Sequence, residues 1–156
     1  MKKVELLAPA GNFEGLTGAI NAGADAIYLG GQMFGARAYA DNFSEEEICR
    51  AIHTAHVFGK KIYLTVNTLV KEKELDKLYD FLLPFYLNGL DGVIVQDLGA
   101  LKYIKEHFPK MELHASTQMS LTGSKGTKFI QEAGVCRIAP ARELQLTEIK
   151  EIQKNT

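Results

Sequence analysis

Val4-Glu5-Leu6-Leu7-Ala8-Pro9-Ala10-Gly11-Asn12 reads as a short, mostly apolar strand and a tight turn, with a helix starting at Phe13. The same order of strand, polar turn and helix recurs down the chain. Two parallel strands cannot be joined by a hairpin, so each needs a crossover helix. The carboxyl end of the first strand therefore marks the rim where chemistry is expected.

Outward from that stretch, the first helix is predicted over 13–22, with Asn12 as its N-cap and Gly23 as its stop. The second strand is Asp25–Gly30. A long loop over 31–43 follows, carrying Arg37, Tyr39 and Asn42. Loops longer than a crossover needs are more often functional than structural. Ser44-Glu45-Glu46-Glu47 is a capping box, and its helix runs through Ile48, Ala51, Ile52 and Ala55 to Gly59. Lys61–Asn67 is the third strand. The third helix carries the stripe Leu75, Leu78, Tyr79, Leu82 and Leu83, and Pro84 should kink or shorten it.

Asp91–Asp97 is strand four, and 98–107 a helix ended by Pro109. Met111–Ser116 is strand five, followed by a weaker helix over 121–133. Val135–Ala139 is strand six, and a last helix begins at Thr147. About six strand–helix units of this kind imply an α/β fold with a parallel sheet. A doubly wound sheet would suit the length, but Ala8 to Asn12 lacks its phosphate fingerprint. A complete eight-unit barrel needs roughly 250 residues. The expectation is therefore an incomplete TIM-type barrel of about six of eight units: one domain over residues 1–156, the amino-terminal part of a (β/α) barrel. Its open sheet edge is then a surface for homodimerisation.

The chain has 156 residues, 46% hydrophobic and 24% charged, enough apolar mass for one core. With 18 Lys+Arg against 19 Asp+Glu, there is no general electrostatic case for a nucleic-acid or acidic-membrane partner, although a local basic patch stays open. Two cysteines, Cys49 and Cys136, make no disulfide framework, and both suit buried structural thiols. Without a signal peptide or a long apolar run, a cytoplasmic location is the default.

The strand exits give a polar rim. It comprises Pro9, Gly11 and Asn12; Gly30, Gly31 and Arg37; Thr65, Asn67 and Thr68; Gln96 and Asp97; His114, Ser116, Thr117 and Gln118; Arg142 and Glu143. Each has a plainer reading. Asn12, Asp97 and Ser116 serve equally as helix caps. Arg142 and Glu143 serve as a surface pair. His114 alternates with Leu113 and packs in or beside the core. Asn67 and Gln96 end apolar strands, which favours a polar pocket. No metal ligand set is expected: His53 and His56 share a helix without an acidic partner. There is no G-x-S-x-G, H-E-x-x-H or phosphate loop, so motif chemistry names no reaction and no catalytic residue.

Several stretches in combination resemble the opening of the collagenase-like peptidase family U-32. They are Glu5–Asn12, Gly23–Gly30, Phe34–Ala38 with Asn42-Phe43, Asp91–Asp97, His114–Gln118 and Arg137–Leu144. The resemblance implies a barrel-type amino-terminal domain and a peptidase (hydrolase) label whose catalytic type is unsettled. It also implies relatives that take part in oxygen-independent hydroxylation of tRNA uridine, ribosomal RNA cytidine or a quinone precursor. Those relatives carry a four-iron four-sulfur cluster held by cysteines that would lie beyond Thr156. Cys49 and Cys136 do not match them, so this chain is expected to hold no cofactor and, alone, to be inactive. The resemblance points to Arg37, Asn67, Gln118, Arg142 and Glu143 as pocket residues; the rim itself adds Gln96 and Ser116. The expected partner is an RNA or small-molecule substrate. A peptide substrate and a non-catalytic binding module are the alternatives, and no membrane is expected.

Overall fold

The computed structural model describes residues 4–37 and 42–156; Tyr39 of the long loop lies outside them. The strands are β1 (Leu7–Ala10), β2 (Ala26–Gly30), β3 (Lys61–Val66), β4 (Gly92–Val95), β5 (Glu112–Ala115) and β6 (Arg137–Ile138). Between and after them lie α1 (Phe13–Asn21), α2 (Glu45–Val57), α3 (Leu75–Leu87), α4 (Leu98–His107), α5 (Ser124–Glu132) and α6 (Leu146–Lys154). All strand pairings are parallel, and the spatial order is the chain order, β1 to β6. A doubly wound sheet would reverse order at a switch point. Sequential winding is instead the barrel pattern.

The sheet is curled into a half-barrel. Strands sit about 4.8 Å apart, so a flat six-stranded sheet would hold β1 and β6 about 24 Å apart. Yet Arg137 of β6 donates to Glu5, just ahead of β1, at 2.5 Å. No pair of side chains spans the flat distance, so the sheet must bend toward itself.

Strand alternation sorts the residues onto two faces. Ile27, Leu29, Ile62, Leu64, Val66, Val93, Val95, Leu113 and Ala115 are buried under the helices. They pack with Leu16, Ile48, Ile52, Leu78, Leu82, Leu101 and Ile104. Each such valine, leucine or isoleucine contributes about 1.5–3 kcal/mol on full burial. Lys61, Tyr63 and Thr65, and Glu112, His114 and Ser116, fall on the other, concave face.

The helix ends are set locally. Asn12 caps α1 by accepting from Gly15 N–H, and Gly23 ends it at φ +88°, a conformation glycine adopts without penalty. Ser44 and Glu47 form the expected capping box, and Asp97 caps α4 through Ala100 N–H. The expected shortening at Pro84 does not occur: α3 continues to Leu87. Proline removes one donor near the helix end, and its own carbonyl still accepts from the Asn88 backbone at 3.1 Å. α5 starts at Ser124 rather than near Leu121, because Ser120 adopts a left-handed conformation ahead of it. Among the described residues, no helix is long and apolar enough to cross a membrane.

Candidate functional site

Because every strand runs the same way, the residues after β1 to β6 gather at one rim. The loop after β2 is tied down there. Asn67 Oδ1 accepts from Ala36 N–H at 3.0 Å, and Thr68 Oγ1 donates to the Phe34 carbonyl at 3.0 Å. Asn42 Nδ2 donates to the Arg37 carbonyl at 2.9 Å, which closes the loop's base, and Arg37 itself is exposed. Asn67 thus commits its carboxamide oxygen to shaping the loop.

Two of the predicted residues meet in one cleft. Gln96 after β4 and Gln118 after β5 line a hollow of about 460 Å³, with Leu69, Leu98, Met119, Leu121 and Phe129 as its apolar walls. Leu69, Leu98 and Phe129 are large, exposed hydrophobic side chains. Ser116 is buried, and its hydroxyl accepts from Gln118 N–H at 3.2 Å. It fixes the turn that presents Gln118. Arg37, Asn67, Arg142 and Glu143 share the rim but do not line this cleft. Arg142 and Glu143 are exposed on the segment after β6, which Ala141 N–H anchors to the Leu121 carbonyl.

A second polar cluster fills the amino-terminal part of the concave face, and His114, expected at the carboxyl rim, belongs to it instead, against Glu112 and Tyr63. Lys61 Nζ donates to Glu112 Oε1 at 2.5 Å, and His114 Nε2 lies 3.2 Å from Glu112 Oε2. Tyr63 is fully buried; its ring meets His114 edge-on at 4.4 Å, and its hydroxyl donates to Glu5 at 3.3 Å. The Arg137 guanidinium lies 5.2 Å from the same ring. The signal was present in the alternation: 61, 63, 112 and 114 are polar or aromatic residues at every second place of otherwise aliphatic strands.

The electrostatics follow from this packing. The hydrogen bond from Arg137 holds the Glu5 carboxyl below its ordinary range. Burial alone would raise Glu112, but its bonds from Lys61 and His114 outweigh that and lower it. Burial, reinforced by Arg137, lowers His114 and keeps the imidazole neutral. Burial and the two neighbouring carboxylates push the Tyr63 phenol up.

The two cysteines do not form a cluster-ligand set. Cys49 is half-buried on α2, and Cys136 is exposed ahead of β6. A four-iron cluster takes four thiolates, and this chain has two. The described residues do bring Glu112, His114 and Cys136 together as metal-ligand types.

A family model described as Peptidase family U32 matches residues 11–156. The chain belongs to peptidase family U32. It is similar to tRNA hydroxylation protein P1 of Bacillus subtilis, 41% identical over 98% of this chain and 36% of that protein. It is also similar to 23S rRNA 5-hydroxycytidine C2501 synthase of Escherichia coli, 40% identical over 99% of this chain and 23% of that protein. An uncharacterized protease of Methanocaldococcus jannaschii is 41% identical over 99% of this chain and 37% of that protein. The chain thus spans roughly a quarter to a third of these relatives' lengths. Among solved structures, the U32 peptidase Mk0906 superposes with TM-score 0.78 at 14% identity, covering 99% of this chain and 66% of that one. A phosphonopyruvate hydrolase gives 0.66 at 14% identity over 97% of this chain and 63% of that one. At such identities these likenesses establish the U32 chain's fold as TIM-barrel type, with six units of it present here.

Proposed function

We propose that this U32 chain forms the substrate-binding rim of a larger protein that hydroxylates an RNA base without molecular oxygen. In this reading a four-iron four-sulfur cluster is held by cysteines outside residues 1–156. The observation that carries it is the Gln96–Gln118 cleft, taken with relatives named for tRNA and ribosomal RNA hydroxylation. A carboxamide offers a donor and an acceptor in one plane, as a base edge requires. Apolar walls and the exposed Phe129 ring suit the face of an extruded base, which is read by edge hydrogen bonds and stacking.

The test is nucleoside mass spectrometry of tRNA and ribosomal RNA from cells lacking the gene. One hydroxylated nucleoside should be lost and restored by the wild-type gene, but restored poorly by the Gln96→Ala, Gln118→Ala double variant. The longer protein, purified without oxygen, should be brown. An unchanged nucleoside profile, or a colourless and iron-free protein, would refute the proposal.

The peptidase reading rests on the family's name and on the protease relative. The geometry gives it little support. Ser116 spends its hydroxyl on a turn, and His114 faces Glu112 and Tyr63. A serine nucleophile needs a base within hydrogen-bond reach.

A further inference from the structure

We infer, on the RNA reading above, that Arg37 holds a backbone phosphate beside the nucleotide whose base occupies the Gln96–Gln118 cleft, and that Asn67 is the residue that positions it. The turn that carries Arg37 is strained. Phe34 adopts φ +59°, a left-handed conformation that a bulky side chain seldom takes. Such strain persists only where the surroundings over-determine it, and it clusters at active sites and ligand clamps.

The contacts around Phe34 fix the backbone on both sides of it. Its ring packs on Phe81 with centroids 5.5 Å apart, and its carbonyl accepts from Thr68 Oγ1 at 3.0 Å. Two residues on, Ala36 N–H donates to Asn67 Oδ1 at 3.0 Å, and the Arg37 carbonyl accepts from Asn42 Nδ2 at 2.9 Å. None of these contacts engages the Arg37 guanidinium. That side chain is exposed, and no ion pair among the described residues includes it. A tethered backbone therefore delivers a guanidinium to the mouth with its donors unspent, and that planar fork matches a phosphate.

The cleft needs such a group. Its charged lining residue is Asp97, whose Oδ1 caps α4, so the lining offers a phosphate no positive charge. Asn67 and Leu69 are two residues apart, at most about 7 Å along the chain. Leu69 is a wall of the cleft, so the loop tethered to Asn67 borders that wall. Lys71 and Lys73 alternate with Glu72 and Glu74, and Arg142 precedes Glu143, whereas residues 30–37 carry no carboxylate. Lys125 and Lys128, on α5, are point charges without the fork. Phosphate contacts supply much of the affinity for a nucleic-acid strand and fix its register, while base contacts choose the sequence.

The full chain is titrated with a fluorescein-labelled single-stranded oligoribonucleotide of mixed sequence, read by anisotropy between about 50 and 200 mM KCl. Wild-type affinity should fall as salt rises. Arg37→Ala should bind about tenfold more weakly at the low-salt end. It should also lower the salt slope by about 0.7, the share of one phosphate on a single strand. Arg37→Lys keeps the charge without the fork, so it should keep the slope and regain part of the affinity. Asn67→Ala, checked for folding by circular dichroism, should weaken binding by itself and add nothing to Arg37→Ala, because a positioning residue acts only through the side chain it aims. Lys110→Ala, ahead of β5 at the opposite end of the sheet, should bind like the wild type. An Arg37→Ala chain with the wild-type slope, an equal loss from Lys110→Ala, or a folded double variant in which the two losses add would each overturn the assignment. So would displacement of the RNA by inorganic phosphate at constant ionic strength, the mark of a free-anion site. In each of these cases, weaker binding by the Gln96→Ala, Gln118→Ala double variant leaves the cleft reading standing. A wild type that binds no RNA at low salt ends both.

Discussion

The two ends of the curled sheet are built on opposite plans. At the amino-terminal end, charged and aromatic groups from Glu5, β3, β5 and β6 interlock within the concave face. At the carboxyl rim, carboxamides and apolar side chains line an open cleft on loops. The first end spends its polar groups on one another; the second leaves Gln96 and Gln118 presented toward the cleft. This is the division a TIM-type barrel makes between stability below and chemistry above. It also shows that a charged residue in a strand is no pointer to the active mouth until its end of the strand is known.

The comparison breaks if the amino-terminal cluster proves dispensable. Tyr63→Ala should be the most damaging change, at about 3–5 kcal/mol, because it empties a fully buried aromatic site and unpacks His114 and Arg137 together. Urea denaturation measures it. Gly92→Ala should cost about 2 kcal/mol. A Cβ there would lie 2.7 Å from the Glu112 carbonyl oxygen and 2.8 Å from its Cβ, and backbone cannot step aside. Glycine in β4 is what allows β5 to approach and bring Glu112 to Lys61. Cheap substitution at either position would dissolve the contrast between the two ends.

Acid sharpens the same contrast. The folded-state values of His114, Glu5 and Glu112 are all lowered. Each group then binds its proton more readily in the unfolded chain, so stability rises with pH across its range. The His114 contribution is fully present above its unfolded value of 6.5 and is lost as pH falls through the lower folded value. The two carboxylates add theirs above 4.5 and lose it below. The urea midpoint should therefore fall between pH 7 and 5.5, and more steeply below 4.5, with a limit of about 1.4 kcal/mol per pH unit per proton. Glu5→Gln should flatten the lower part of this profile. At neutral pH it should cost no more than about 1 kcal/mol, since the Glu5–Arg137 pair is partly open to solvent. A profile flat from pH 7 to 4 would show that the cluster is not coupled to folding.

The sequence carried the frame because the frame is local. Asn12, the Ser44 box and Asp97 name their helices by cap chemistry alone, and alternating apolar runs name the strands. The strand order was legible for the same reason: each unit is wound directly onto the last. The amino-terminal cluster was not, because it joins Glu5 to Arg137 across 132 positions, and only the curl of the sheet brings them together. The rim was legible as a set but not as a site. Sequence puts Asn67, Gln96, Ser116 and Gln118 at strand exits. It cannot say that Asn67 turns to Ala36 and Ser116 to its own turn, while Gln96 and Gln118 share a cleft.

That sharing gives the smallest stability effect and the most pointed functional one. Neither glutamine is tied into the amino-terminal cluster, so Gln96→Ala or Gln118→Ala should shift the urea midpoint by less than about 0.5 kcal/mol. On the proposed function, each should lower kcat/KM for RNA of a hydroxylating protein that carries this rim about tenfold, the value of one net hydrogen bond of about 1.4 kcal/mol. The double variant distinguishes a shared ligand from two separate contacts. Side chains that hold one rigid base are coupled, so the combined loss should fall short of the hundredfold product. Gln118→Glu keeps the shape of the side chain and removes its donor. If an acceptor on the base faces Gln118, that variant should lose as much activity as alanine while its stability stays unchanged. Equal activity of all these variants would move substrate recognition off this cleft and onto the arginine-bearing parts of the rim, Arg37 and Arg142, which share the mouth without lining the hollow.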